Sequence, residues 1–99
     1  MRKNINVYQM INDRNNPAAN QIIIEVGNNI FFQSYSTMIA KYDKDKVYAT
    51  DDWDYSKTTA KHFYIFLRDY CGKCSVRCKE DVKWMIENGE IEIVDKIEL

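Results

Sequence analysis

The sequence predicts an α+β fold: an antiparallel sheet of about four strands over residues 20–50, followed by two helices, at about 56–70 and 76–88, packed on it. Two patterns carry that expectation. Up to Thr50, β-branched and aromatic runs are separated by short turns rich in Gly, Asn or charge; beyond Ser56, apolar residues recur every third or fourth position instead of every second. Length and composition agree, because 99 residues with 45% apolar side chains suffice for one core and therefore one domain, residues 1–99.

The elements follow in order. "INVYQMI" fits two templates, since Ile5, Val7 and Ile11 suit a strand while Val7, Met10 and Ile11 suit one face of a short helix. "NNPAAN" reads as a turn. "QIIIEV" and "IFFQSY" around "GNN" form a hairpin signal, because Gly and Asn tolerate positive φ, and "TMIAKYD" and "KVYAT" around "KDK" form a second. Ser56 then suits the N-cap of a helix through "KTTAKHFYIFLRDY", with Thr59, Phe63, Phe66, Leu67 and Tyr70 on one face. Ser75 suits the cap of a second helix with an apolar stripe of Val82, Met85 and Ile86, stopped by Asn88-Gly89. The tail "EIEIVDKIEL" alternates like a strand and can extend the sheet edge.

Net charge is −1, but the distribution is uneven. Between residues 57 and 79 stand Lys57, Lys61, Arg68, Lys73, Arg77 and Lys79 against Asp69 alone; from Glu80 onward, Glu80, Asp81, Glu87, Glu90, Glu92, Asp95 and Glu98 stand against Lys83 and Lys96. No apolar run approaches the roughly 20 residues needed to span a bilayer, and the N-terminal stretch has no apolar signal-peptide core, so a soluble intracellular protein without a membrane role is expected.

Several groups bear on chemistry. Asp51, Asp52 and Asp54 offer oxygens to a hard cation such as Mg²⁺, yet Asp54 and Ser56 also lie where side-chain oxygens cap a helix, with Trp53 and Tyr55 burying the corner. Ser34, Ser36, Ser56, Thr58 and Thr59 supply hydroxyls, and His62 falls one helical turn after Thr58, but nothing supplies the orienting acid that a nucleophile and base require. The expectation is accordingly a protein that is not an enzyme. Tyr35, Tyr42, Tyr48, Trp53, Tyr55 and Tyr64 accompany Lys41, Lys46, Lys57 and Lys61, a combination that suits base stacking or a protein-binding hot spot.

Cys71-Gly-Lys-Cys74 has the C-x₂-C spacing of a zinc loop, and Cys78 follows four residues on, so the three thiols form a candidate structural zinc site. His62 is a poor fourth ligand, because nine residues of unbroken helix place it about 13 Å from Cys71 on the opposite face. A catalytic dithiol would follow a strand, whereas this pair follows a predicted helix. The remaining reading is ordinary thiols in an interhelical turn, with no cofactor.

"NPAANQ", "FQSYSTMIA", "KVY" and "WDYSKTTAKH" together resemble a family of small uncharacterised proteins from bacteriophages and prophages of Gram-positive bacteria, with a pattern A-N-Q, F-Q-S-Y and W-D-Y-S-x-T-T ahead of an F-L pair, here Phe66-Leu67. The likeness covers roughly residues 16–67. His62 departs from it, and the cysteine segment lies outside it. The resemblance implies a phage protein in the cytoplasm of a bacterial host, and it brings no catalytic residues. Anti-CRISPR inhibitors are among such small phage proteins. The expected function is therefore a non-enzymatic protein that binds a host protein or nucleoprotein complex, most concretely a CRISPR–Cas effector. Its expected contact surface is acidic and aromatic: Asp51, Asp52, Asp54, Tyr55, Glu80, Glu87, Glu90 and Glu92, imitating nucleic acid in a basic channel. The alternative is a nucleic-acid-binding accessory protein that uses Lys57, Lys61, Arg68, Lys73, Arg77 and Lys79.

Overall fold

A computed structural model describes residues 5–98. Six strands form one sheet in chain order: β1 (Ile5–Ile11), β2 (Pro17–Val26), β3 (Asn29–Ser34), β4 (Thr37–Tyr42), β5 (Val47–Ala49) and β6 (Ile91–Ile93). The α+β class holds, with six strands where about four were expected. The two additional strands lie at the edges. Each strand pairs antiparallel with its neighbour except β6, which runs parallel to β5. A parallel neighbour needs a long crossover, and here the helical segment supplies it: a 3-10 turn (Asp51–Asp54), helix α1 (Lys57–Ile65), a π turn (Phe66–Tyr70) and helix α2 (Lys79–Glu87).

The register explains why the helices pack where they do. Ile23 lies opposite Phe32, Phe32 opposite Ala40, and Ala40 opposite Ala49, so one cross-strand row passes from bulky to small. All four are fully buried. Phe66 stacks on Phe32 at 5.6 Å between ring centres and continues to Phe63 at 6.4 Å and Tyr70 at 6.2 Å. Trp53 closes the strand-to-helix corner against Phe63 at 5.6 Å. On the opposite face Ile24 pairs with Phe31 and Phe31 with Lys41, whose Nζ stands 6.0 Å from the Phe31 ring and 5.8 Å from Tyr48. The lysine stem thus shields rings that no helix covers.

Local chemistry moves three boundaries. The turn before β2 is made by Asn12, whose Oδ1 accepts from the N–H groups of Arg14 and Asn16, so the strand starts at Pro17 rather than near residue 20. The first helical path stays α to Ile65 and then widens, the Cys71 N–H bonding back to Phe66 O, five residues away. The second helix begins at Lys79 instead of 76, and Ser75 is not its cap. Asp81 Oδ2 accepts from the backbone N–H groups of Arg77 at 2.8 Å and Cys78 at 3.2 Å, and this back-bonding selects Cys78 as the N-cap.

Candidate functional site: a hydroxyl-lined cleft and a basic groove

Two strings distant in sequence, residues 34–39 and 52–59, meet in one cleft of about 730 Å³. Its lining is Ser34, Tyr35, Ser36, Thr37 and Ile39 from the β3–β4 hairpin, and Asp52, Tyr55, Ser56, Thr58 and Thr59 from the start of the helical segment. Ser56 caps α1 as its sequence position predicts, its Oγ accepting from the Thr59 N–H at 3.1 Å. The same Oγ donates to Thr59 Oγ1 at 3.2 Å, and Thr59 Oγ1 lies 3.0 Å from Ser34 Oγ. A hydroxyl has one proton and two lone pairs, so Thr59 can accept from Ser56 and still bond Ser34, with either the Thr59 or the Ser34 oxygen as the donor. This chain of hydroxyls ties β3 to α1 across the floor of the cleft.

Two tyrosines flank that floor. Tyr55 is 83% exposed and Tyr35 is 53% exposed, whereas Trp53 beside them is buried. The corner is therefore buried by Trp53 alone, contrary to the expectation that Tyr55 joins it. Tyr35 has φ +56, a conformation that glycine or asparagine adopts at lower cost and a bulky side chain rarely does. Its backbone holds it there, since the Tyr35 N–H donates to Asn20 O at 2.7 Å and Gln33 Nε2 donates to Tyr35 O at 2.8 Å. A strained backbone carrying a solvent-facing ring has no evident packing benefit.

Among the described residues no hydrogen bond joins these hydroxyls to a histidine or a carboxylate. His62 donates through Nδ1 to the backbone carbonyl of Thr58 at 2.7 Å, so its ring engages its own helix rather than a hydroxyl.

On the other flank of α1, a second groove of about 440 Å³ is lined by Lys57, Ala60, Lys61, Tyr64, Arg77 and Lys79, with Asp54 and Ser56. Of the six basic residues singled out in the sequence, four meet here. The other two are engaged elsewhere: Arg68 with Asp13 at 2.9 Å and Lys73 with Glu90 at 3.8 Å. Asp54 bonds Lys79 at 3.0 Å, which raises the lysine's pKa above its ordinary value.

The acidic set is dispersed. Asp52 and Tyr55 line the hydroxyl cleft and Asp51 is exposed one residue away, but Asp54 belongs to the basic groove and Glu92 pairs with Lys46 at 2.9 Å. Glu80 and Glu87 are exposed at opposite ends of α2, and Glu90 is the Lys73 partner. The cysteines likewise differ. Cys71 is buried, which pushes its thiol pKa far up, whereas Cys74 and Cys78 are exposed. Among the described residues no three His, Cys, Asp or Glu side chains gather as a metal-holding group.

A small α+β domain with two clefts flanking one helix is thus the class that fold and site define. The chain belongs to a family of unknown function (DUF8033), whose model matches residues 5–83, from β1 into α2. No curated protein and no solved structure matches the chain.

Proposed function

We propose that this protein is a non-enzymatic binding domain that engages a protein partner through the tyrosine-flanked cleft, and that the partner is a component of a bacterial defence system, most concretely a CRISPR–Cas effector, met during phage infection. One observation carries the binding reading: Tyr35 and Tyr55 hold their rings in solvent beside a cleft in which the Ser34, Thr59 and Ser56 hydroxyls are bonded to one another and, among the described residues, to no histidine or carboxylate. Tyrosine supplies much contact area for little lost side-chain freedom, which is why it dominates binding hot spots. Cleft and tyrosines, rather than the dispersed carboxylates, are the contact surface in this reading. The defence target rests on the resemblance to small phage proteins.

The test is phage plaquing on a host whose CRISPR–Cas effector restricts the phage. Expression of the protein restores plaques, and Tyr55→Ala or Tyr35→Ala abolishes the restoration while leaving the melting temperature within a few degrees. In direct binding to the effector each substitution weakens affinity about thirtyfold, equivalent to about 2 kcal/mol. Restriction unaffected by the wild-type protein rejects the effector as target; restoration that survives both substitutions rejects the cleft.

A further inference from the structure

Helix α1 turns a second stripe outward on the flank away from the hydroxyl cleft. Lys57, Ala60, Lys61 and Tyr64 stand at i, i+3, i+4 and i+7, so they align along one side of the helix. Arg77, from the loop before α2, and Lys79, the first residue of α2, complete the groove across from that stripe. The small side chain of Ala60 keeps the space between the two lysines open.

Charge is concentrated here to an extent that the whole chain conceals. The chain has 14 basic and 15 acidic residues, and the groove lining takes four of the basic and one of the acidic, leaving ten basic and fourteen acidic for the rest. An anion is therefore attracted to this groove and repelled by the average of the remaining surface. Asp54 is committed to Lys79, and among the described residues no ion pair engages Lys57, Lys61 or Arg77. Glu80 and Asp81 lie nearby, close enough to act on Lys79 and Arg77 respectively.

The arrangement suits a repeating anion better than a single one. A lone phosphate is held by donors that converge on one point, whereas these cations are spread along two walls. Tyr64 adds a half-buried ring to the same lining. Burial raises its phenol pKa, so it remains neutral, and a neutral ring among cations is the combination on which single-stranded bases stack. A volume of about 440 Å³ is on the scale of a single nucleotide, so a strand is gripped locally and no duplex is seated.

We infer that the groove formed by Lys57, Lys61, Tyr64, Arg77 and Lys79 binds single-stranded nucleic acid, the cations contacting phosphates and Tyr64 stacking on a base. This surface meets the tyrosine-flanked cleft only at Ser56, and the inference does not rest on the reading of that cleft.

Fluorescence anisotropy with labelled oligothymidylate and oligouridylate tests the inference and distinguishes DNA from RNA. Both bind at low salt, or one does, and affinity falls with salt on a log–log slope of magnitude about 2 to 3, from roughly 0.7 per phosphate neutralised. The double substitution Lys57→Gln/Lys61→Gln lowers that slope by about 1.4. Tyr64→Leu weakens binding about tenfold and leaves the slope unchanged, a separation that a merely structural tyrosine does not produce. Lys96→Gln leaves binding intact. The inference is overturned if neither oligonucleotide binds at low salt, if the double lysine substitution leaves the slope unchanged, or if a duplex of equal length binds as tightly as the single strands.

Discussion

Thr59 and Phe63 on α1 are almost completely buried, while Lys57 and Lys61, on the same two turns, are exposed. The buried side is specified by neighbours within the chain: Phe63 lies between Trp53 and Phe66, and Thr59 is bonded to Ser34 and Ser56. The exposed side meets no such constraint. Its lysines repel each other at i, i+4, and next to the helix Tyr55 leaves most of its ring in water. One flank therefore gains stability from its composition, and the other accepts a small loss. A surface that forgoes stability without a packing reason is where binding is expected.

Substitutions that exchange the behaviour of the two sides test this contrast most directly. The largest effect belongs to Phe66, which is fully buried and stacks with Phe32, Phe63 and Tyr70. Phe66→Ala loses about 3 to 5 kcal/mol in urea unfolding, combining lost transfer energy with an unfilled cavity. For a domain of this size that lowers the melting temperature by more than about 12 °C. Phe66→Leu keeps enough volume to fold and allows the comparison should the alanine variant not accumulate. A loss under about 1 kcal/mol for Phe66→Ala removes the ring stack as the centre of the core.

Thr59 comes next. Thr59→Val keeps the shape and removes the hydroxyl, leaving Ser34 Oγ buried without its partner, and costs about 1 to 3 kcal/mol. Combining it with Ser34→Ala recovers part of that loss, because both ends of the broken hydrogen bond are then apolar. Strict additivity of the two changes refutes the hydroxyl tie between β3 and α1.

What could be read in advance follows the same division. Local chemistry was legible: Ser56 caps α1, Asn88 and Gly89 end α2 with Gly89 at φ +79, and the Gly27-Asn28 hairpin joins β2 and β3. β1 was ambiguous because the apolar residues of a seven-residue segment satisfy two periodicities, and only pairing with β2 decides between them. The second helix start was misread because Ser75 is the better capping type, whereas the deciding contact comes from Asp81, three residues inside the helix. The π turn has no local signature in "FLRDY". The site was the least legible part. Tyr35 and Tyr55 are twenty residues apart and meet only in the folded chain. Arg68 and Lys73 stand within the basic run in sequence yet leave it in space, and Asp54, grouped with the acids, lines the basic groove. Charge runs record adjacency along the chain, while a site depends on adjacency across it.

The smallest expected effect is also the most discriminating. Tyr55→Ser changes stability by less than about 0.5 kcal/mol, since its ring is in water and packs little. Lys57→Gln goes further and stabilises by roughly 0.2 to 0.5 kcal/mol at low salt, because it relieves repulsion from Lys61 one turn away. Screening by salt shrinks that gain, as the Debye length falls below the spacing of the two ammonium groups. Thermal melts of wild type and Lys57→Gln at low and high salt provide the measurement. A loss of stability in Lys57→Gln means that the lysine stem braces the fold, and the outer side of α1 is then ordinary solvated surface rather than a groove maintained at a cost.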